Sequence, residues 1–196
     1  SANQLYQTMK NIVLFGPPGA GKGTQAGFLR DYYDLIHIST GEIFRENMKQ
    51  GTDLGKLAKK YIDHGNLVPD KVTIEILKEE VEKYPDAKGF IFDGFPRTPL
   101  QAKALDIYLA GKNTGVTGMI ALEVPEKLLV ERVLLRGKTS DRPDDYNEET
   151  IRHRFEEYYK KTEIVKDYYQ KQNKYFGIDG VGSIEEISAR ILAVLE

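Results

Sequence analysis

The stretch NIVLFGPPGAGKGT, Asn11 to Thr24, constrains this chain more than any other. A short apolar run that reads as a buried strand enters a glycine-rich turn, and a helical pattern begins at about Lys22. Strand, glycine loop and helix in that order are the context in which a phosphate-binding loop works. Gly19, Gly21 and Gly23 let backbone N–H groups turn inward as an anion nest. The helix start adds its positive dipole end, and Lys22 adds a mobile charge for the β- and γ-phosphates of a nucleotide. The residue after Lys22 is Gly23, where the general pattern has the Ser or Thr that holds magnesium. Another group must then serve the metal.

The alternation continues along the chain. Asn11 to Phe15, Leu35 to Ser39, Gly89 to Asp93, Met119 to Val124 and Lys174 to Asp179 are short and apolar on both faces, which predicts buried parallel strands. Helical patterns cover Gly21 to Tyr33, Gly41 to Gln50, Asp70 to Tyr84, Pro99 to Ala110, Pro125 to Arg136, Asn147 to Gln172 and Ser183 to Leu195. Such alternation predicts an α/β fold with helices on both faces of a parallel sheet. Two segments exceed a bare repeat: the helical Gly51 to Pro69 and the polar Gly137 to Tyr146. Both read as insertions overhanging the carboxyl edge of the sheet, where such folds bind ligands. Ser1 to Thr8 lacks periodicity and is set aside as a tag remnant or disordered tail, leaving 9–196 as a single domain.

Composition narrows the function. The net charge of -2 does not suggest a nucleic-acid partner. The chain has no cysteine, which excludes disulfides and cysteine-ligated zinc and suits a reducing, cytoplasmic setting. His37, His64 and His153 show no metal-ligand spacing. No apolar run is long enough to span a bilayer, and no membrane partner is expected.

Asp93 ends an apolar strand in FIFDGFPRT, Phe90 to Thr98, and should face the same edge as the glycine loop. It can orient magnesium through water, with the phosphates as main ligands, which answers the glycine at 23. Arg97 follows within reach of that cleft. Arg132 and Arg136 share a helix face, and Gly137 reads as the C-cap of their helix. Arg142 lies in the polar insertion. On the long helix, Ile151, Phe155, Tyr158, Val165 and Tyr169 form a buried stripe. Arg154 lies at the edge of that stripe and Arg152 well away from it, so Arg154 is the candidate and Arg152 a solvated residue. Asp144 and Asp145 could latch a lid by pairing with these arginines, and Asp145 with Glu148 also fits a capping box. Several arginines around short insertions suit phosphoryl transfer, which needs charge neutralised and water excluded.

The segments GPPGAGKGT, ISTGEIFR, GNLVPD, FDGFPRT and DRPDDYNEETIRHR follow one another as in adenylate kinases, and from about Met9 onward the chain resembles that family in its short-lid form. The resemblance implies a three-layer P-loop NTPase fold with a five-stranded parallel sheet, an AMP-binding insertion at about 39–68 and a lid at about 137–146. It implies MgATP and AMP in, two ADP out, and a monomer. Gly19, Ala20, Gly21, Lys22, Gly23 and Thr24 would cradle the ATP phosphates. Arg132 would stack on adenine, Arg136 would meet phosphate, and Gly182 would touch adenine through its backbone. Thr40, Arg45, Asn66, Leu67, Val68, Gly94, Phe95, Pro96, Arg97 and Gln101 match AMP positions, and Arg142 and Arg154 match the arginines that bridge the two phosphate chains. Three features depart from the family's commonest pattern. The lid has no room for the larger, zinc-bearing form, Tyr146 is an extra residue before NEET, and Asn66 stands where Lys or Arg is common.

Two rivals carry sequence features of their own. A UMP or CMP kinase would share the fold, but in that branch alanine is typical where Thr40 stands. A GTP switch would use DGVG, Asp179 to Gly182, yet no Asn-Lys-x-Asp stretch reads guanine. A catalytically inactive nucleotide-binding scaffold is the third alternative, and the retained Lys22, Asp93 and arginines argue against it.

Overall fold

A computed structural model describes residues 9–64, 66–138 and 148–196. Ser1 to Thr8 and the segment 139–147, with Arg142, Asp144, Asp145 and Tyr146, lie outside the described residues. In chain order the elements are β1 (Lys10–Phe15), α1 (Lys22–Tyr33), β2 (Ile36–Ser39), α2 (Thr40–Gln50), α3 (Asp53–Ile62), α4 (Asp70–Glu82), β3 (Gly89–Asp93), α5 (Pro99–Gly111), β4 (Gly118–Glu123), α6 (Glu126–Gly137), α7 (Glu148–Gln170), β5 (Tyr175–Asp179) and α8 (Ile184–Leu195). The strands form one sheet in the order β2-β3-β1-β4-β5. Every pairing is parallel.

Alternate side chains along each central strand enter opposite layers. Ile12 and Leu14 join Ile91, Ile120, Leu122, Leu129 and Ile191 in one buried cluster. Val13 and Phe15 join Phe90, Phe92, Leu105, Met119 and Tyr169 in another. These two clusters fill the two sides of the sheet, which gives three layers. Both faces are apolar on β1, β3 and β4, as the sequence predicts for central strands. On β2 they are not. Ile36 and Ile38 alternate with His37 and Ser39, because β2 is an edge strand with a partner on one side only.

Side-chain caps start several helices. Ser39, Thr52 and Thr98 accept from the backbone N–H of Glu42, Gly55 and Gln101. Ser183 and Glu186 form a reciprocal capping box at α8. The sequence reading of Gly137 as a C-cap is corrected: Gly137 is the last residue of α6, is buried, and Lys138 caps in right-handed geometry. The Lys138 N–H still finds the Leu135 carbonyl at 3.3 Å. The helical insertion after β2 has its own small core of Phe44, Ala58, Val68 and Ile76. The end of α8 returns to β1 and α1: Lys10 Nζ donates to the Leu195 carbonyl at 3.1 Å, and the Tyr33 hydroxyl donates to Glu196 at 3.0 Å.

Candidate nucleotide-binding cleft

The sheet register brings several strand ends to one edge. Leu14 lies beside Asp93, and Ser39 lies on the other side of Asp93. β1 neighbours β3 on one side and β4 on the other, while the chain leaves β1 toward β2 and leaves β3 toward β4. That reversal opens a crevice outside the strand ends. A cleft of ≈ 920 Å³ occupies it, with the glycine loop as its floor.

The loop's shape follows from its glycines. Gly19 has φ 84° and Gly21 φ 89°, conformations that L side chains rarely adopt. A Cβ on Gly19 would also lie 3.0 Å from Val133 Cγ2, so α6 packs directly on the loop. Arg132 Nη1 donates to the Gly19 carbonyl at 3.2 Å from the same helix. Gly23 is different. It sits in the first turn of α1, outside the positive-φ set, and a Cβ there would meet nothing within 4 Å.

Asp93 is buried and doubly held. Lys22 Nζ lies 2.8 Å from Oδ1, and His37 Nε2 lies 3.0 Å from Oδ2. Burial alone would push this carboxyl up, but the His37 hydrogen bond and the Lys22 ammonium more than offset it and hold the group below the ordinary aspartate value. The loop after β3 is braced from behind. Thr40 Oγ1 and Arg97 Nε both donate to the Gly94 carbonyl, at 3.1 and 2.8 Å. Gln101 accepts from the Arg97 backbone at 2.8 Å and donates to Asp70 at 2.8 Å. Arg97 itself is exposed by surface area yet enclosed by the concave walls. That enclosure pushes its pKa down, Asp93 opposes the shift and Arg45 adds to it, and the guanidinium stays charged.

Of the residues singled out from sequence, the cleft lining brings together Gly19 to Thr24, Arg45, Asp93, Gly94, Arg97, Arg132, Arg136 and Arg154. Thr40, Phe95 and Gln101 are buried behind the wall, and Val68 belongs to the small core under α2 and α3. Asn66, Leu67, Pro96 and Gly182 do not line the cleft. Arg154 faces the cleft, whereas Arg152 pairs on the outside with Glu148 at 2.9 Å and Glu126 at 3.1 Å. Tyr158, expected in the buried stripe, is half-buried and lines the cleft, while Thr162 is buried on the same helix and also borders the cleft. Sequence reasoning missed His37 beside Asp93, and it missed Glu42, Glu157 and Lys161 on the cleft wall. The signal for His37 is the polar alternation in LIHIS, which the two isoleucines mask. Asp179 does not face the cleft either: its carboxylate accepts from the Val181 N–H at 3.0 Å, an ordinary turn at the end of edge strand β5.

An anion nest between a strand and a helix, a carboxylate at the neighbouring strand end and guanidinium groups on both sides define a P-loop α/β protein that handles nucleotide phosphates. The family model for adenylate kinase matches residues 14–174. The chain is 56% identical over 187 residues to an adenylate kinase of Flavobacterium psychrophilum, covering 95% of this chain and 98% of the relative. It is 54% identical to one of Flavobacterium johnsoniae (96% and 99% covered) and 47% identical to one of Bacteroides thetaiotaomicron (96% and 99% covered). The chain belongs to the adenylate kinase family and is an enzyme of that kind, a nucleoside monophosphate kinase.

Proposed function

We propose that the protein moves a phosphoryl group reversibly from ATP to AMP, giving two ADP, as a cytoplasmic monomer. The observation that carries this reading is the convergence of cations on one cleft from both sides of the glycine loop. Arg45 comes from α2 and Arg97 from the loop after β3, while Arg132 and Arg136 come from α6 and Arg154 from α7. That arrangement suits two phosphate-bearing ligands meeting over Lys22.

Gly19 to Thr24 cradle the ATP phosphates, Arg132 stacks on its adenine, and the Gly182 backbone touches that base. Thr40, Arg45, Asn66, Leu67, Val68, Gly94, Phe95, Pro96, Arg97 and Gln101 form the AMP side, either by contact or by bracing the residues that make it. No side chain is a nucleophile. An oxygen of the AMP phosphate attacks the γ-phosphorus in line, and the bond from that phosphorus to the β-phosphate oxygen breaks. Lys22, Arg97, Arg136, Arg142 and Arg154 neutralise the charge that develops. The insertion at 39–68 and the lid at 137–146 close to exclude water.

The residues fit magnesium rather than a protein-caged metal. Asp93 offers one charged carboxylate at the cleft, and among the described residues no group of three acidic, His or Cys side chains could hold a metal ion. Such a donor set suits an ion that keeps most of its waters and takes its other ligands from phosphates. Magnesium, when bound, would neutralise phosphate charge, with Asp93 orienting it through water.

The test is ADP formation from ATP, comparing AMP with UMP, CMP and GMP, with and without magnesium. Strong preference for AMP is expected. Preference for UMP or CMP would overturn the base assignment, and ATP binding without any transfer would overturn the reaction.

A further inference from the structure

We propose that His37 is a positioning residue, which fixes the Asp93 carboxylate so that Lys22 can leave it for an incoming polyphosphate. The inference rests on the roles given to Lys22 and Asp93 above. Lys22 Nζ lies 2.8 Å from Asp93 Oδ1, so the lysine charge is directed at this carboxylate. Binding a polyphosphate draws Lys22 away. A buried carboxylate stripped of its one partner would be left unsatisfied, a costly state that pulls the lysine back. Asp93 has a second partner. His37 Nε2 lies 3.0 Å from Oδ2, and because a carboxylate only accepts, Nε2 donates in this contact.

The topology makes the contact possible. His37 is registered with Ile91, two residues before Asp93, and its ring reaches forward along the edge strand to the carboxylate. Asp93 is therefore held from the β2 side on one oxygen and from the glycine loop on the other. When Lys22 swings out, the bond from His37 keeps the carboxylate plane in place with Oδ1 turned to the cleft. Asp93 Oδ1 would then be oriented to accept from a water of a divalent cation bound with the polyphosphate. His37 acts only through Asp93; it does not line the cleft.

Three variants of the full chain test this: His37→Leu, His37→Gln and Asp93→Asn. ATP is titrated calorimetrically with and without magnesium, AMP is titrated separately, and kcat, KM and melting temperature are measured. His37→Leu should cut kcat and the magnesium-dependent gain in ATP affinity by about tenfold, as loss of a group orienting a metal-facing carboxylate does, and leave AMP affinity unchanged. His37→Gln places an amide donor near the same point and should recover most of both. Wild-type behaviour of His37→Leu would overturn the proposal. Equal losses in the Leu and Gln variants would do the same. So would a parallel fall in ATP affinity, AMP affinity and melting temperature, which marks a merely structural residue. Asp93→Asn should lose turnover and the magnesium effect. Full turnover there would remove the role of Asp93 and with it that of His37, whereas failure confined to the His37 variants leaves Asp93 standing.

Discussion

At Asp93 burial and its partners pull in opposite directions, and the partners win. Its folded pKa lies below the unfolded one, so the group stabilises the fold above the unfolded value of ~3.9 and loses that contribution as pH falls through the folded value. Urea midpoints followed from neutral pH into acid should therefore fall more steeply for the wild type than for Asp93→Asn; equal slopes would mean the ion pair contributes nothing. Arg97 and Arg152 make a second contrast. Arg97→Ala should lower turnover by ~10²–10³-fold with the fold intact, the scale set by removing one preorganised donor from a charged transition state. Arg152→Ala removes only exposed pairs with Glu148 and Glu126 and should leave turnover unchanged. Equal losses in steady-state assays would sink the helical-face assignment. Gly23 gives a third. Because its Cβ would meet nothing, Gly23→Ala should stabilise α1 by up to about 1 kcal/mol through helix propensity while weakening ATP binding, a split that thermal melting and calorimetry would resolve. At this scale the sequence was informative where a residue directly followed a recognisable strand or turn: Asp93 ends the apolar run of β3, and Lys22 follows the glycine loop after β1. For His37 the sequence marked only a polar residue in a short strand, because the partner Asp93 lies on a neighbouring strand that only the sheet order supplies.

Among the elements, the β1–β3 seam has the least slack. Gly89 sits at φ 147°, and a Cβ there would collide with the Lys10 carbonyl across the pair. Gly89→Ala should cost about 2–4 kcal/mol, the range of backbone-strain mutants, read as a lowered urea midpoint. The same change at Gly111, where a Cβ meets nothing, should be near neutral. Strand and helix identities were legible because buried parallel strands and amphipathic helices have different periods. Ends were less legible. The pattern could not tell that α6 carries Gly137 in right-handed geometry, because a buried terminal glycine and a left-handed cap look alike in one dimension. It also read β2 like its neighbours, since a short edge strand with two isoleucines has the hydrophobicity of a central one.

Over the whole molecule the cores are unequal. Two large clusters clamp the sheet, while α2 and α3 rest on a small one of Phe44, Ala58, Val68 and Ile76. Amide exchange should therefore open α2 and α3 well before β1 and β3, as a unit of low local stability. Simultaneous exchange would show that the insertion is part of the main core. The sequence marked this insertion through its excess of helix over a β-α-β repeat, but not that it carries a core of its own. The contact between Lys10 and Leu195 has a different consequence. A single side chain bridges the beginning of β1 and the end of α8, so a short peptide could join those two points without crossing the cleft. New termini could then be opened at the exposed turn around Lys112 and Asn113. Such a circular permutant would keep every strand neighbour in the sheet while changing the order in which the strands leave the ribosome.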